Sequence, residues 1–189
     1  MMDLAYPAEA PALQKGEKTV PGEEIFPVVD PNGRVIGRAT RSHCHDGSKL
    51  LHPVVHLHII DRMSRIFLQQ RSAAKHLYPL RWDTAVGGHV SYGEFFSEAL
   101  YREAREELNF YDFNPVLIKN YIYESPREHE LVCVYAAVGN FDLHPSNYEV
   151  KEGRYWTLEE LDAAMGQGIL TPNFESEFTS IKDTLLALL

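Results

Sequence analysis

Gly88-His-Val-Ser-Tyr-Gly-Glu-Phe-Phe-Ser-Glu-Ala-Leu-Tyr-Arg-Glu-Ala-Arg-Glu-Glu-Leu-Asn-Phe110 is the stretch from which the rest of the chain is read. The pair Gly87 and Gly88 follows an extended run and predicts a turn, and a helical pattern then runs from about Glu94 to Asn109. Phe96, Leu100, Ala104 and Leu108 recur every four residues with Ala99 beside them, so one stripe of this helix faces a core. Glu103, Glu106 and Glu107 stand at i, i+3 and i+4, which sets three carboxylates on one face, at the flank of that stripe. Glu98 and Arg105 take the opposite side, where water is expected.

Carboxylates crowded at the margin of a core repel one another and lose hydration, a cost that calls for a compensating cation. Mg²⁺ is the natural one, because it takes oxygen ligands and keeps several waters. Arg102, four residues after Glu98 and four before Glu106, can hold the outer edge of the cluster.

The stretch resembles the Nudix box, Gly-x5-Glu-x7-Arg-Glu-U-x-Glu-Glu-x-Gly-U, in which U is a bulky apolar residue. Gly88, Glu94, Arg102, Glu103, Glu106, Glu107 and Phe110 match at the family spacing. Ala104 is a small residue for its U position, and Asn109 replaces the closing glycine. That glycine ends the helix in a left-handed conformation, for which Asn is the next best residue. The resemblance implies an α/β fold, an α/β/α sandwich with a mixed β-sheet, and a hydrolase dependent on Mg²⁺ or Mn²⁺. On this reading Glu103 and Glu107 bind the metal, Glu106 binds it directly or through water, and the Gly88 carbonyl is a further ligand. Glu94 and Arg102 are expected to pair and to orient the helix. The general base is left open among the box carboxylates, Glu128 and Glu130.

The composition sets the bounds. The chain has 189 residues, 44% hydrophobic and 24% charged, as in ordinary globular proteins. Its length predicts one domain over residues 23–189, preceded by an aperiodic, flexible arm over residues 1–22. A formal net charge of −9 argues against a nucleic-acid polymer as partner. An anionic small-molecule substrate then needs local positive charge or a metal. Cys44 and Cys133 are the only cysteines, so a disulfide scaffold is not expected and a reducing, cytoplasmic setting is. No apolar run of membrane-spanning length occurs, so no membrane partner is expected. The oligomeric state stays open, a homodimer included.

Along the chain, Glu24 to Val29 and Arg34 to Arg38 predict a hairpin around Asp30-Pro-Asn-Gly33. His52 to Ile60 and Arg65 to Gln70 predict a second around Asp61-Arg-Met-Ser64. Trp82 to Val86, Pro115 to Glu124, Leu131 to Val138 and Tyr148 to Trp156 read as further strands. Thr157-Leu-Glu-Glu160 is a capping box, and Thr171-Pro172 opens a last helix.

Outside the box, His45, His52, His89, Glu128 and Glu130 are ligand types that suit divalent metals. The run His52…Arg71-Ser-Ala-Ala-Lys75…Tyr78-Pro79…Trp82…Gly88-His89…Glu128-His-Glu130 is similar to isopentenyl diphosphate isomerases, a branch of the Nudix superfamily. That resemblance implies a second metal set made of those five residues, and diphosphate contacts from Arg71 and Lys75. The isomerase carries a catalytic cysteine directly before its Gly-His pair, where this chain has Gly87. Hydrolysis of a diphosphate linkage in a nucleoside diphosphate derivative is therefore the leading reading. Isomerase activity and a non-catalytic nucleotide-binding module are the alternatives.

Overall fold

Gly33 adopts φ +76, while Asp30 Oδ1 accepts the N–H groups of Asn32 and Arg34 at 2.9 and 3.0 Å. This turn closes the first hairpin, β1 (Ile25–Val29) antiparallel to β2 (Val35–Thr40), with Ile25 opposite Thr40. The second turn uses the same device. Buried Asp61 accepts the N–H groups of Met63 and Arg65, both at 2.9 Å, and its other oxygen takes the Arg65 guanidinium at 2.6 Å. In both turns a short carboxylate replaces hydrogen bonds that the bend removes from the backbone.

The computed structural model describes residues 3–14, 22–75, 77–145 and 150–189. After the first hairpin come α1 (Arg41–Cys44), β3 (His52–Ile60), β4 (Ile66–Arg71), β5 (Trp82–Asp83), β6 (Val86–His89) and α2 (Phe96–Leu108). They are followed by β7 (Val116–Glu124), β8 (His129–Val138), β9 (Val150–Trp156), α3 (Leu158–Ala164) and α4 (Pro172–Leu186). A seven-stranded sheet runs in the order β5-β4-β3-β8-β7, with β6 paired to β3 and β9 to β4. The class is α/β. Strands β3 and β8 are buried almost throughout, so apolar residues occupy both of their faces rather than alternating with exposed polar ones.

The chain divides between two units. One comprises Met1–Val55, Gly88–Leu100 and Lys119–Cys133; the other comprises His56–Gly87, Tyr101–Ile118 and Val134–Leu189. In the first, Phe26, Val28, Ala39 and Cys44 form a buried cluster under the hairpin. In the second, Trp82 packs edge-on to Trp156 at 5.2 Å, and Phe174 stacks on Phe178 at 5.3 Å. Trp82 is thus a packing residue. The capping box of α3 and the Thr171 cap of α4 form as their sequences predict. Cys44 and Cys133 are both buried. Among the described residues no helix is long and apolar enough to cross a membrane.

Three expectations need correction. The Gly87–Gly88 pair is strand, inside β6, and the turn comes later at Ser91–Glu94 with Gly93 at φ +97. The run from Trp82 to Val86 is split between the two short strands β5 and β6. The arm predicted over residues 1–22 is not loose where it is described. Ala5 donates its N–H to the Gly33 carbonyl and accepts from Val35, Leu4 is buried, and the Tyr6 hydroxyl donates to the Glu94 carbonyl at 2.8 Å. A few apolar anchors fix this segment without producing any periodicity in the sequence. Residues 1–2, 15–21 and 146–149 lie outside the described residues, and with them part of the arm and the start of the strand expected from Tyr148.

Candidate active site and metal centre

The box helix owes its limits to its own side chains. The Glu94 carboxylate accepts the Ser91 N–H at 3.0 Å and closes the turn, and Glu98 accepts the Phe95 N–H at 2.8 Å, so α2 starts at Phe96. At the other end Asn109 takes φ +53, in the left-handed role of the box glycine. Its N–H donates to the Arg105 carbonyl at 3.0 Å, and that of Phe110 donates to the Ala104 carbonyl at 3.1 Å. Phe96, Ala99, Leu100, Ala104 and Leu108 are buried, while Glu98 and Arg105 are exposed.

The three carboxylates descend in exposure along this face, Glu106 at 49%, Glu103 at 15% and Glu107 at 5%. Arg102 Nη1 bonds Glu103 at 2.7 Å and Glu106 at 3.4 Å, holding the outer edge. Glu107 Oε2 accepts the Gln69 side-chain amide at 3.1 Å and the Gly87 N–H at 3.3 Å. Burial, and then the charge of Glu103, push the Glu107 carboxyl up to about 8, against the pull of those two donors and of Lys75. A carboxyl kept neutral chiefly by burial, and next by the neighbouring Glu103, suits a divalent cation, since the cation offsets both penalties. Gln69 escaped the sequence reading, although its place in an otherwise apolar strand, Ile66 to Leu68, was the available signal.

Of the expected diphosphate contacts, Lys75 lies close enough to Glu107 to favour its charged form. Arg71 is already engaged, donating from Nη1 to Asp83 at 3.2 Å and from Nε to the Leu77 carbonyl at 3.1 Å. Gly88 lies beside Gly87 within β6.

The second constellation gathers separately. One ligand atom from each of His45, His52, His89 and Glu130 lies within 4.8 Å of the others. Glu128 stands 3.9 Å from His45 Nε2. His45 Nδ1 meets the Arg41 carbonyl at 2.7 Å and His52 Nδ1 meets the Leu50 carbonyl at 2.9 Å, so both rings donate from Nδ1, the tautomer that in a neutral ring puts the lone pair on Nε2. Burial pushes the His52 imidazole down to about 4, which keeps it neutral and ligand-competent at pH 7. Its Nε2 is buried without a hydrogen-bond partner, and His45 Nε2 lies 3.1 Å from His89 Nε2. The orphaned Nε2 of His52, converging with His45, His89 and Glu130, fits a divalent metal. Phe26 forms the floor, stacked on His89 at 4.5 Å and 3°, and on His52 at 5.8 Å. Its role was invisible in the sequence, where it reads as one more strand aromatic.

A NUDIX domain model matches residues 50–174. The chain belongs to the Nudix family. Among curated relatives, an uncharacterized Nudix hydrolase of Nostoc sp. is 34% identical over 57% of this chain and 63% of its own length. One of Streptomyces coelicolor is 40% identical over 46% of this chain and 47% of its own length. The chain thus spans about three fifths and one half of these two Nudix relatives. An isopentenyl-diphosphate Delta-isomerase of Leifsonia xyli is 30% identical over 82% of this chain and 85% of its own. Among solved structures, DR0079 from Deinococcus radiodurans superposes with a TM-score of 0.72 at 24% identity, covering 83% of this chain and 98% of that one. That likeness is one of fold.

Proposed function

We propose that this chain is a metal-dependent Nudix hydrolase that cleaves a diphosphate linkage, in a nucleoside diphosphate derivative or a related compound, by attack of water on phosphorus. The observation that carries this reading is the graded row Glu106, Glu103, Glu107 on α2, with its innermost carboxyl tied to Gln69 and Gly87. Glu103 and Glu107, with Glu106 directly or through water, would hold Mg²⁺ or Mn²⁺, which would neutralise phosphate charge and acidify water. Arg102 restrains Glu103 and Glu106, Glu94 fixes the entry of the helix, and Lys75 adds positive charge near Glu107. Two buried thiols fit a reducing, cytoplasmic setting.

Isomerisation is the second reading, favoured by the histidine and glutamate set and by the isomerase-named relatives. It lacks a proton donor at residue 87. Crowding does not explain the glycine, because a Cβ there would meet His56 Cδ2 at 3.5 Å, an ordinary contact. Incubation with nucleoside diphosphates, sugar nucleotides, ADP-ribose, dinucleotides and isopentenyl diphosphate tests the choice. The expected products are nucleoside monophosphates, with ¹⁸O from labelled water on a phosphorus-bound oxygen. Dimethylallyl diphosphate formed from isopentenyl diphosphate, with no other compound cleaved, overturns the hydrolase.

A further inference from the structure

The second metal set draws His45 and His52 from the two ends of the loop between α1 and β3. Glu128 comes from the turn between β7 and β8, and Glu130 from the start of β8. Lys49 belongs to the first stretch and grips the second with both side chain and backbone. Its Nζ donates to the Ser125 carbonyl and pairs with Glu124 at 3.3 Å. Its own carbonyl accepts from His129 Nδ1 at 2.9 Å, and His129 stands between the two glutamates. Gly47 lies against the same turn, since a Cβ there would stand 3.8 Å from the Pro126 carbonyl.

The turn carries this hold forward. The Ser125 N–H donates to the Glu128 carbonyl at 2.9 Å, and Ser125 Oγ accepts the Glu128 N–H at 3.0 Å. The two glutamates thus sit on either side of an anchored residue, Glu128 at 3.9 Å from His45 and Glu130 at 4.0 Å from His52. Lys49 itself adopts φ +59, the left-handed region where a Cβ is unfavourable and glycine is at ease. What lysine adds there is the reach of its side chain, and strain of this kind persists where the surroundings hold it for a purpose.

We propose that Lys49 is a positioning residue of the second metal set, holding the β7–β8 turn so that Glu128 and Glu130 face His45 and His52, an inference independent of the hydrolase reading above. Charge and positioning predict opposite signs. A fixed ammonium repels a cation bound nearby, so removing it should tighten metal binding if Lys49 acted through charge alone. Loss of the grip on the turn should loosen it.

Lys49→Gly keeps the left-handed backbone and the carbonyl for His129 while removing the side chain. Zn²⁺ affinity is measured by competition with a chromogenic chelator, in proteins that all carry Glu107→Gln so that the box stays out of the titration, with His52→Ala as baseline. The expected result is binding about 10–100-fold weaker than in the parent, the range for partners that orient direct ligands, with a cooperative melt retained. Lys49→Arg, which keeps a charged donor of similar reach, should recover most of the affinity. Should Lys49→Gly fail to melt cooperatively, Lys49→Met carries the test with the same expectation. Affinity equal to or tighter than the parent's in a folded Lys49→Gly or Lys49→Met overturns the role. A parent that binds no Zn²⁺ above the His52→Ala baseline overturns the metal set and the role together, and leaves the hydrolase standing.

Discussion

Glu107 Oε2 accepts the backbone N–H of Gly87 at 3.3 Å, which joins the most buried carboxyl of the box helix to the glycine strand β6. Because the folded-state value is near 8 and the ordinary one 4.5, the native protein holds a proton that the unfolded chain releases. Stability from this group is fully present below about pH 4.5 and is lost as pH rises towards 8. In chelator, Tm should therefore fall between pH 5 and 8, and Glu107→Gln should flatten that fall. Added Mg²⁺ should stabilise the wild type more at pH 8 than at pH 5. The same substitution should lower the rate at least about a hundredfold. Diphosphatase activity that survives both chelation and Glu107→Gln removes the metal from the box.

Arg71 spans from β4 to Asp83 and to the Leu77 carbonyl, so it both shapes its loop and offers charge. Arg71→Ala should reduce kcat/KM about ten- to a hundredfold if a charge-assisted phosphate contact of roughly 1.5–3 kcal/mol is lost. Asp83→Asn, which releases the guanidinium without removing it, separates the two roles. Unchanged steady-state kinetics in Arg71→Ala, with a lowered Tm, make the residue a loop strut only.

His52 offers the orphaned Nε2 of the second metal set. Elemental analysis after dialysis against Mn²⁺ or Zn²⁺ should find a bound equivalent in wild type and in Glu107→Gln, but not in His52→Ala. Loss of a direct ligand should weaken binding by more than the roughly 10–100-fold seen for outer partners. Equal metal content in all three proteins refutes the set.

Asn109 holds φ +53, and its side-chain oxygen accepts the Tyr111 hydroxyl at 2.6 Å. Asn109→Ala should cost about 1–2 kcal/mol in denaturant unfolding, because a Cβ without a local hydrogen bond is strained there. Asn109→Gly should stay near wild type, the freedom of glycine offsetting the lost hydrogen bond. An alanine variant as stable as wild type contradicts this account of the helix end.

The elements that declared themselves in the sequence are those governed by local chemistry. Asp30 to Gly33, Thr157 to Glu160, Thr171-Pro172 and the four-residue stripe of α2 each work through neighbours within a turn or two. Gly87 and Gly88 misled because glycine is read as a turn, whereas here the turn depends on Gly93 and the Glu94 side chain. Long-range partners left weaker traces. Gln69 is a polar residue at the end of an apolar strand, and Glu177, which bonds His56 at 2.9 Å and His58 at 2.6 Å, interrupts the buried stripe Phe174, Phe178, Ile181 and Leu185 of α4. His56 and His58 alternate two apart on β3, a spacing that puts both on one face. Each was a signal in its own right, but the partner that gives it meaning lies far along the chain.

The segment before the first hairpin has a practical consequence. Tyr6 receives the Gly93 N–H at 3.0 Å and donates to the Glu94 carbonyl, while Asp3 accepts the Phe96 N–H at 3.2 Å, so residues 3–6 act as a clasp on the entrance of the box helix. Trimming the chain back to the hairpin, by protease or by cloning, would strip three hydrogen bonds from the loop that launches α2 and remove the buried Leu4 side chain. A shortened recombinant form chosen for convenience would then differ from the full chain at its helix entrance, although every residue of the box remained.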